Sequence, residues 1–479
     1  MTLAVGRESS RVTQGNADGH PQPWFGPRDS DSGIERPARR LLLVSYHFPP
    51  DTAVGGLRWQ QFSRFLAEAG WGVDVVSRDL DAVHPRDDRR LELLPADLRI
   101  FCATERELYF ARAERAAARL IRRLIPRRKQ YPTVALSAHE IDRASDRRLV
   151  RAYNAWARIE TEKIWGRSAT RIGIALSGPR PYDAVASSGP PHMVHEAARR
   201  IAKATRTPLI IDLRDPWSAV ERVAEDHASP VWFSIARRFE RLAVRDARLI
   251  VMNTEMARDD MQKRYPAAIT RIVAVPNGSD DDPIPTVEPP ARFSIRFAGS
   301  IYLDRDPRLL FRAAAIVVRR LGLTPEDFGF EFIGHVEEFG GTSVRGMAAE
   351  EGLAGFVDVD GPRPRDAAMQ FLASATMLLN LPQGADMCVP AKLFEYVRFN
   401  AWLLVLAKNT SATALMLRDT GADVVDPNDV DRIAEVIETR YLQHARGERP
   451  VAAGRDGRFE RKRQAERLLH YMETLVVSR

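Results

Sequence analysis

The stretch Leu41-Leu42-Leu43-Val44-Ser45 runs into Tyr46-His47-Phe48-Pro49-Pro50 and then Val54-Gly55-Gly56-Leu57-Arg58. A short continuous apolar run bounded by a Pro-Pro turn reads as a buried strand. Residues 57–69 follow with apolar positions at helical spacing, closing on Gly70-Trp71. Two glycines at the mouth of a helix let main-chain N–H groups approach an anion, and the helix terminus adds positive potential. The other reading of Gly55 and Gly56 is a packing or turn feature, since neither GxGxxG nor a Walker spacing is present.

Working outward, the same strand-then-helix unit recurs. Buried-strand runs fall at 73–77, 184–187, 209–212, 249–252 and 272–275, with amphipathic stretches at 192–204 and 233–244. Residues 283–291 then carry four prolines in nine, which cannot continue a sheet and read as a linker. The alternation starts afresh with strand candidates at 294–298, 330–333, 357–359, 377–381, 403–406 and 423–425. Helices are expected at 307–321, 364–374 and 392–399, and a charged helix at 459–476 closes the chain. Strands alternating with helices call for parallel sheets covered on both faces. The expected architecture is α/β, with two doubly wound Rossmann-like domains facing a cleft, at 39–282 and 292–455. Ligands belong at the carboxyl ends of their strands. Residues 1–38 are expected to be a disordered tail, and 456–479 a helix packing back toward the N-terminal domain.

Composition narrows the function. The 479 residues are 44% hydrophobic and 28% charged, which excludes a disordered or fibrous chain. Cys102 and Cys388 are the only cysteines, so no disulfide framework or Cys-based zinc site is expected, and the usage fits a reducing cytosol. The polar first 40 residues lack a signal-peptide core, and no run approaches the ~20 apolar residues of a membrane span. The net charge is +7, and residues 106–129 alone hold eight arginines and one lysine against Glu107 and Glu114. The excess is local, so nucleic acid is not an expected partner. At ~100° per residue, Tyr109, Ala113, Ala117, Leu120, Ile121 and Leu124 share one side of a helix there. Arg112, Arg115, Arg119, Arg122 and Arg123 take the other. Such a helix suits an anionic membrane surface; equally, its apolar stripe packs on the domain and its arginines are solvated. A cytoplasmic protein, peripheral at the inner face of the plasma membrane, is the expectation.

Further landmarks follow in order: Ser187-Ser188-Gly189-Pro190-Pro191-His192, Asp212-Leu213-Arg214-Asp215-Pro216-Trp217, Pro276-Asn277-Gly278, Phe297-Ala298-Gly299-Ser300 and Pro390-Ala391-Lys392-Leu393-Phe394-Glu395-Tyr396. With the first-strand loop, this series resembles family 4 glycosyltransferases of the GT-B fold, in the branch related to cell-surface polysaccharide synthesis, over about residues 40–440. The resemblance implies a nucleotide-sugar donor on the C-terminal domain and a glycan or lipid-linked acceptor on the N-terminal one. It implies transfer with retention of anomeric configuration in the cleft, in cell-envelope or exopolysaccharide synthesis. No tightly bound cofactor and no metal are expected, the nucleotide-sugar being a substrate.

By the same resemblance Glu395 accepts the ribose hydroxyls of the donor, Gly299 ends the donor domain's first strand, and Lys392 either meets phosphate or is solvated. The family's second glutamate, eight residues earlier, is Met387 here; Asp386 or the main chain of 384–387 is left to hold the sugar. Of the family's two phosphate cations, Arg305 stands at the lysine position and Ser300 at the arginine position, so one cation remains to meet the departing diphosphate. His192, beginning a helix at a strand end, is a candidate to bond sugar hydroxyls or assist proton transfer. His195 is expected to pack. Asp215 is expected to line the cleft and Arg214 to lock a loop. Asp280-Asp281-Asp282 lies beside the linker rather than in a metal-binding context. Two rivals remain: a catalytically impaired GT-B scaffold or nucleotide-sugar-binding protein, and an epimerase or oxidoreductase. The latter lacks its glycine-rich fingerprint and a Tyr-xxx-Lys pair.

Overall fold

The computed structural model describes residues 20–28, 37–104, 135–137, 148–178, 180–219, 222–224, 229–288, 291–302, 305–382 and 386–477. The basic segment 106–129 lies outside the described residues. Two compact units divide the chain: Met1–Pro276 with Ala465–Arg479, and Asn277–Gln464.

The first unit is built on a seven-stranded parallel sheet. Its strands are β1 (Arg39–Ser45), β2 (Trp71–Ser77), β3 (Arg99–Cys102), β4 (Ala184–Gly189), β5 (Leu209–Leu213), β6 (Leu249–Met252) and β7 (Ile272–Ala274), in spatial order β3-β2-β1-β4-β5-β6-β7. Side chains alternate across the sheet. Leu42 and Val44 pack with Val194 and Ile201 of one helical layer, and Leu41 and Leu43 with Trp59, Phe62 and Leu66 of the other. Those layers include α1 (Val54–Glu68), α2 (Arg148–Ser177), α3 (Met193–Thr205), α4 (Pro230–Asp246) and α5 (Glu255–Arg264). The order reverses between β1 and β4, where Val44 pairs with Ser187 and Ser45 with Ser188. That reversal is where an open α/β sheet offers a crevice.

The second unit repeats the plan with six parallel strands. They are β8 (Phe293–Ser300), β9 (Phe328–His335), β10 (Val357–Asp360), β11 (Met377–Asn380), β12 (Trp402–Leu406) and β13 (Asp423–Val425), in order β10-β9-β8-β11-β12-β13. Helices α6 (Arg308–Leu321), α7 (Val344–Glu350), α8 (Arg365–Ala373) and α9 (Leu393–Tyr396) connect β8 through β12, a short helix at Ala412–Met416 leads to β13, and α10 (Val430–Ala445) follows it. Its core is phenylalanine-rich: Phe293, Phe311, Phe328, Phe330 and Phe332 are all buried. The reversal here lies between β8 and β11.

Several expectations are corrected. Within the segment read as a disordered tail, residues 20–28 are ordered: the Trp24 amide donates to the Ile100 carbonyl at 2.7 Å, and Phe25 bridges Ile100. Two aromatics half-buried on the edge strand supply the apolar contact that composition alone hid. The helix expected over 392–399 is the four-residue α9. Past it the main chain tightens, with Arg398 N–H bonding Glu395 O at 3.1 Å and Phe399 N–H bonding Tyr396 O at 3.2 Å, an i to i−3 pattern. Strand β3 and the 30-residue α2 were not anticipated. The closing helix α11 (Arg461–Met472) places Ala465, Leu468 and Met472 in the first unit's core. Arg467 pairs with Glu255 at 2.9 Å and Arg39 with Glu473 at 3.1 Å.

Candidate functional site

At the carboxyl edge of the first sheet, one buried carboxylate organises three elements. Asp212, ending β5, accepts from Arg58 Nε at 3.1 Å, Arg58 Nη2 at 3.2 Å, Trp59 Nε1 at 2.7 Å and Ser188 Oγ at 3.2 Å. Arg58 also donates to the carbonyls of Val275 and Pro276 at 2.7 and 2.9 Å. Side-chain exposures of 2% for Arg58 and 1% for Asp212 make this a structural ion pair with no room for substrate. Arg214 donates its amide to Gly189 O at 3.1 Å and its guanidinium to Pro190 O.

Gly55 and Gly56 serve close packing here. A Cβ at Gly55 would lie 2.5 Å from the Arg214 guanidinium, and one at Gly56 would lie 3.2 Å from Phe48 Cα. The Gly56 amide is engaged, donating to Ala53 O at 3.0 Å. Positive potential at the start of α1 therefore comes from Arg214 as well as from the helix terminus.

His192 stacks on Trp217, with centroids 5.2 Å apart and planes 16° apart. Burial, then the neighbouring His195 and Arg214, hold it well below the usual histidine range, so the ring is neutral. Its Nδ1 is buried and meets no hydrogen-bond partner among the described residues. His195, as expected of a packing residue, is fully buried with Nδ1 2.9 Å from Ser187 Oγ. Burial pushes it down to about 3. Asp215 is half-buried. Burial raises its carboxyl, Arg214 opposes and Asp212 adds to the rise. Behind this loop, fully buried Glu240 accepts from the Ser218 amide at 2.7 Å and from Arg264 and Tyr265 at 2.8 Å. It ties the segment carrying Trp217 to α4 and α5.

The second sheet's edge is different in kind. Gly334, at φ +118°, faces Gly299 so closely that its Cβ would overlap the Gly299 carbonyl. A Cβ at Gly299 would lie 2.7 Å from Lys392 Nζ. Lys392 Nζ donates to Ala298 O at 2.9 Å. Tyr396, one helical turn on, accepts from the Ala298 amide at 2.9 Å and donates to its carbonyl at 3.1 Å. Burial, then the like charge of Arg305, lowers the Lys392 ammonium, with Glu395 opposing. Arg305 donates to Ser300 O at 3.0 Å and lies over the Tyr302 ring at 4.4 Å. Neither cation meets a carboxylate among the described residues.

Glu395 is ion-paired with Arg365 at 2.7 Å. Arg365 also reaches Asp282 at 3.1 Å, and Asp282 takes Arg398 at 2.9 Å. Asp386, named as a sugar contact, is held by Lys408 at 2.8 Å, and its carbonyl accepts from the Ala412 amide at 2.7 Å. The structure thus brings His192, Asp215, Gly55 and Gly56 to one sheet edge, and Gly299, Arg305, Lys392 and Glu395 to the other. Sequence reasoning missed the partners Trp217, Arg365 and Tyr396, and a His47–Asp51 pair at the end of β1. The Lys-x-x-x-Tyr spacing in 392–396 was a usable signal, since residues four apart share a helix face. Among the described residues no group of three or more His, Cys, Asp or Glu could hold a metal ion.

No protein-family model matches the sequence, and no curated protein matches it. Solved structures do. A glycosyltransferase from Rickettsia africae aligns over 92% of this chain and 100% of its own at 11% identity, with a TM-score of 0.53. Sucrose-phosphate synthase from Thermosynechococcus elongatus aligns over 91% and 99% at 12% identity, TM-score 0.56. A lipopolysaccharide outer core galactosyltransferase gives 91% and 99% at 11% identity, TM-score 0.54. The two parallel-sheet α/β domains have the fold of GT-B glycosyltransferases. At such identities the likeness carries the fold alone.

Proposed function

We propose that the chain is a nucleotide-sugar-dependent glycosyltransferase, hexosyl or related. It moves a sugar to a glycan or lipid-linked acceptor with retention, in cell-envelope or exopolysaccharide synthesis. One observation carries the reading. Among the described residues, Lys392 and Arg305 hydrogen-bond only main-chain carbonyls at the end of β8, beside a glycine-glycine contact that admits a ligand's backbone-close approach. Two neighbouring cations, with Arg305 adding to the lowering of the Lys392 ammonium that burial begins, fit a diphosphate, whose charge grows as it leaves. Glu395 is the proposed ribose anchor, and His192 and Asp215 the groups facing sugar and acceptor. The galactosyltransferase named for the lipopolysaccharide outer core is a neighbour in fold, which agrees with an envelope role. No helix among the described residues is long and apolar enough to cross a membrane. A lipid-linked acceptor is reached, in this reading, from the cytoplasmic face through residues 106–129. Sedimentation with anionic vesicles, lost at high salt and on changing Arg115, Arg119, Arg122 and Arg123 to Gln, checks that contact.

A second reading, a nucleotide-sugar-binding scaffold, is favoured by Met387 in place of a glutamate and by the Asp386–Lys408 pair. Incubating the purified chain with UDP-, GDP- and dTDP-sugars separates the two. An enzyme releases nucleoside diphosphate, whereas a scaffold is stabilised by the donor and leaves it intact.

A further inference from the structure

Glu395, read above as the donor's ribose anchor, already has a cation on it. Arg365 Nη1 donates to Glu395 Oε1 at 2.7 Å, and the other arm of the same guanidinium, Nη2, donates to Asp282 Oδ2 at 3.1 Å. One planar cation thus spans two carboxylates. Asp282 is the fixed member of the set. Its second oxygen, Oδ1, accepts from Arg398 Nη1 at 2.9 Å, and Arg398 Nη2 donates to its carbonyl. The main chain before it is pinned as well: the Ser279 amide donates to Phe459 O at 2.7 Å and the Arg461 amide to Ser279 O at 2.9 Å. Asp280 takes Arg461 Nε at 2.6 Å. Burial opposes ionisation of Asp282, but Arg365 and Arg398 hold its carboxyl below the ordinary aspartate range, so it stays charged. Arg365 is the movable member, with a side chain 53% exposed against 13% for Arg398. It opens α8, where the helix dipole disfavours a cation, so its charge gives that helix no stability. Ordering so long a side chain costs conformational entropy, and the Asp282 contact meets that cost before Glu395 is reached. Both bonds form at once, so Asp282 strengthens the Arg365–Glu395 pair rather than competing with it.

We propose that Arg365, held in place by Asp282, is a latch on Glu395 that the ligand's ribose must lift, so that Asp282 and Arg365 set donor affinity through Glu395; this rests on the ribose-anchor reading above. The ribose hydroxyls donate to the Glu395 carboxylate. The guanidinium gives up Oε1 and keeps Oδ2 of Asp282, so the lifted cation still has a carboxylate. The affinity that is measured is then the intrinsic one reduced by the fraction of molecules whose latch is open. Asp282 and Arg365 are positioning residues in this scheme, and the sign of their effect is distinctive. Removing a latch tightens binding. Removing a brace, which orients Glu395 or supports α8, weakens it.

The test titrates the full chain calorimetrically with UDP, GDP and dTDP and carries the tightest of them through the variants. Arg365→Ala should lower its Kd ~2–5-fold, the range of an exposed ion pair. Asp282→Asn keeps Oδ1 for Arg398 and removes the charge facing Arg365, so it should give a smaller gain in the same direction. The double variant should match Arg365→Ala alone, because without Arg365 nothing carries the effect of Asp282 to Glu395. Both gains should vanish with the 2′,3′-dideoxy form of the same nucleotide, which lacks the sugar hydroxyls. Melting temperatures read folding separately from binding. Three results overturn the latch while a loss of affinity in Glu395→Ala keeps the ribose reading standing: no gain in either single variant, an Asp282→Asn effect that persists in the Arg365→Ala background, or equal gains with the dideoxy nucleotide. If Glu395→Ala leaves the Kd unchanged, or no nucleoside diphosphate binds the unmodified chain, the ribose reading fails and the latch falls with it.

Discussion

At the edge of the first sheet Asp212 is enclosed by Arg58, Trp59 and Ser188, with side-chain exposure near zero. At the matching edge of the second sheet, Lys392 and Arg305 bond, among the described residues, only the carbonyls of Ala298 and Ser300. One fold places charged groups at corresponding positions, yet one set is spent inward and the other faces outward. A buried pair that satisfies itself supports loops; cations tied only to carbonyls retain the charge an anionic ligand needs. The difference separates residues that shape the molecule from those that meet a substrate, which type and position alone do not.

The largest expected effect tests the inward side. Asp212→Ala leaves the Arg58 charge buried without its carboxylate, tied to the Val275 and Pro276 carbonyls, so it should destabilise the chain by about 3–5 kcal/mol in urea unfolding. Lys392→Ala and Arg305→Ala, whose partners are main-chain carbonyls near the surface, should each stay within about 1 kcal/mol. Equal losses in all three would erase the distinction. Next comes the outward side. Arg305→Ala should lower turnover ~10²–10³-fold, with donor affinity affected less, because the group meets charge that develops as the diphosphate leaves. Arg305→Lys should recover part of the rate, keeping the charge without the fork. Full turnover in Arg305→Ala alongside a collapse in Lys392→Ala would shift the phosphate contact to Lys392.

Glu395 sits between the two categories, since it is ion-paired yet a third exposed. Glu395→Ala should weaken donor binding by about 1.5–3 kcal/mol if it accepts ribose hydroxyls. Arg365→Ala supplies the contrast. A ribose anchor keeps or improves its donor affinity when Arg365 is removed, because a competing partner has gone. A residue that only holds Arg365 gives the same loss in both variants, and calorimetric titration of the donor reads the difference.

Most strands were legible because apolar runs of the kind seen at 249–252 and 403–406 leave little choice of state, and the repeated alternation gave the fold. Strand β3 was missed since Arg99-Ile100-Phe101-Cys102 is too short and too mixed to stand out, and it exists by pairing with β2. The 30-residue α2 carries no strong apolar stripe, so tertiary packing against α3 and α4 decides it. At the site, residue types were legible and partners were not. Nothing in the sequence says that Glu395 meets Arg365, 30 positions away, or that Asp386 meets Lys408. Such pairs form where strand ends converge, and only the sheet order sets that. The His47–Asp51 pair, four residues apart inside the opening stretch, was within reach of local reasoning and was overshadowed by the prolines and glycines around it.

The smallest expected effect concerns acid. His195 is neutral in the fold, pushed down to about 3 by burial and then by Arg214, against an ordinary value of 6.5. Below that ordinary value the unfolded chain takes a proton that the folded chain refuses. The group's contribution therefore turns against the fold as pH drops through 6.5, and the penalty grows until about 3. The slope approaches about 1.4 kcal/mol per pH unit, so between pH 7 and 5.5 His195 should remove about 1 kcal/mol of stability. Carboxylates protonating over the same range blur the wild-type curve, but they are common to wild type and His195→Gln and cancel in the difference. Gln can still bond Ser187 Oγ and cannot titrate. Unfolding curves for the two proteins should converge as pH falls from 7 to 5.5. Parallel curves would mean that His195 protonates without penalty in the fold, and the first sheet's edge would then be more open to water than its buried pairs imply.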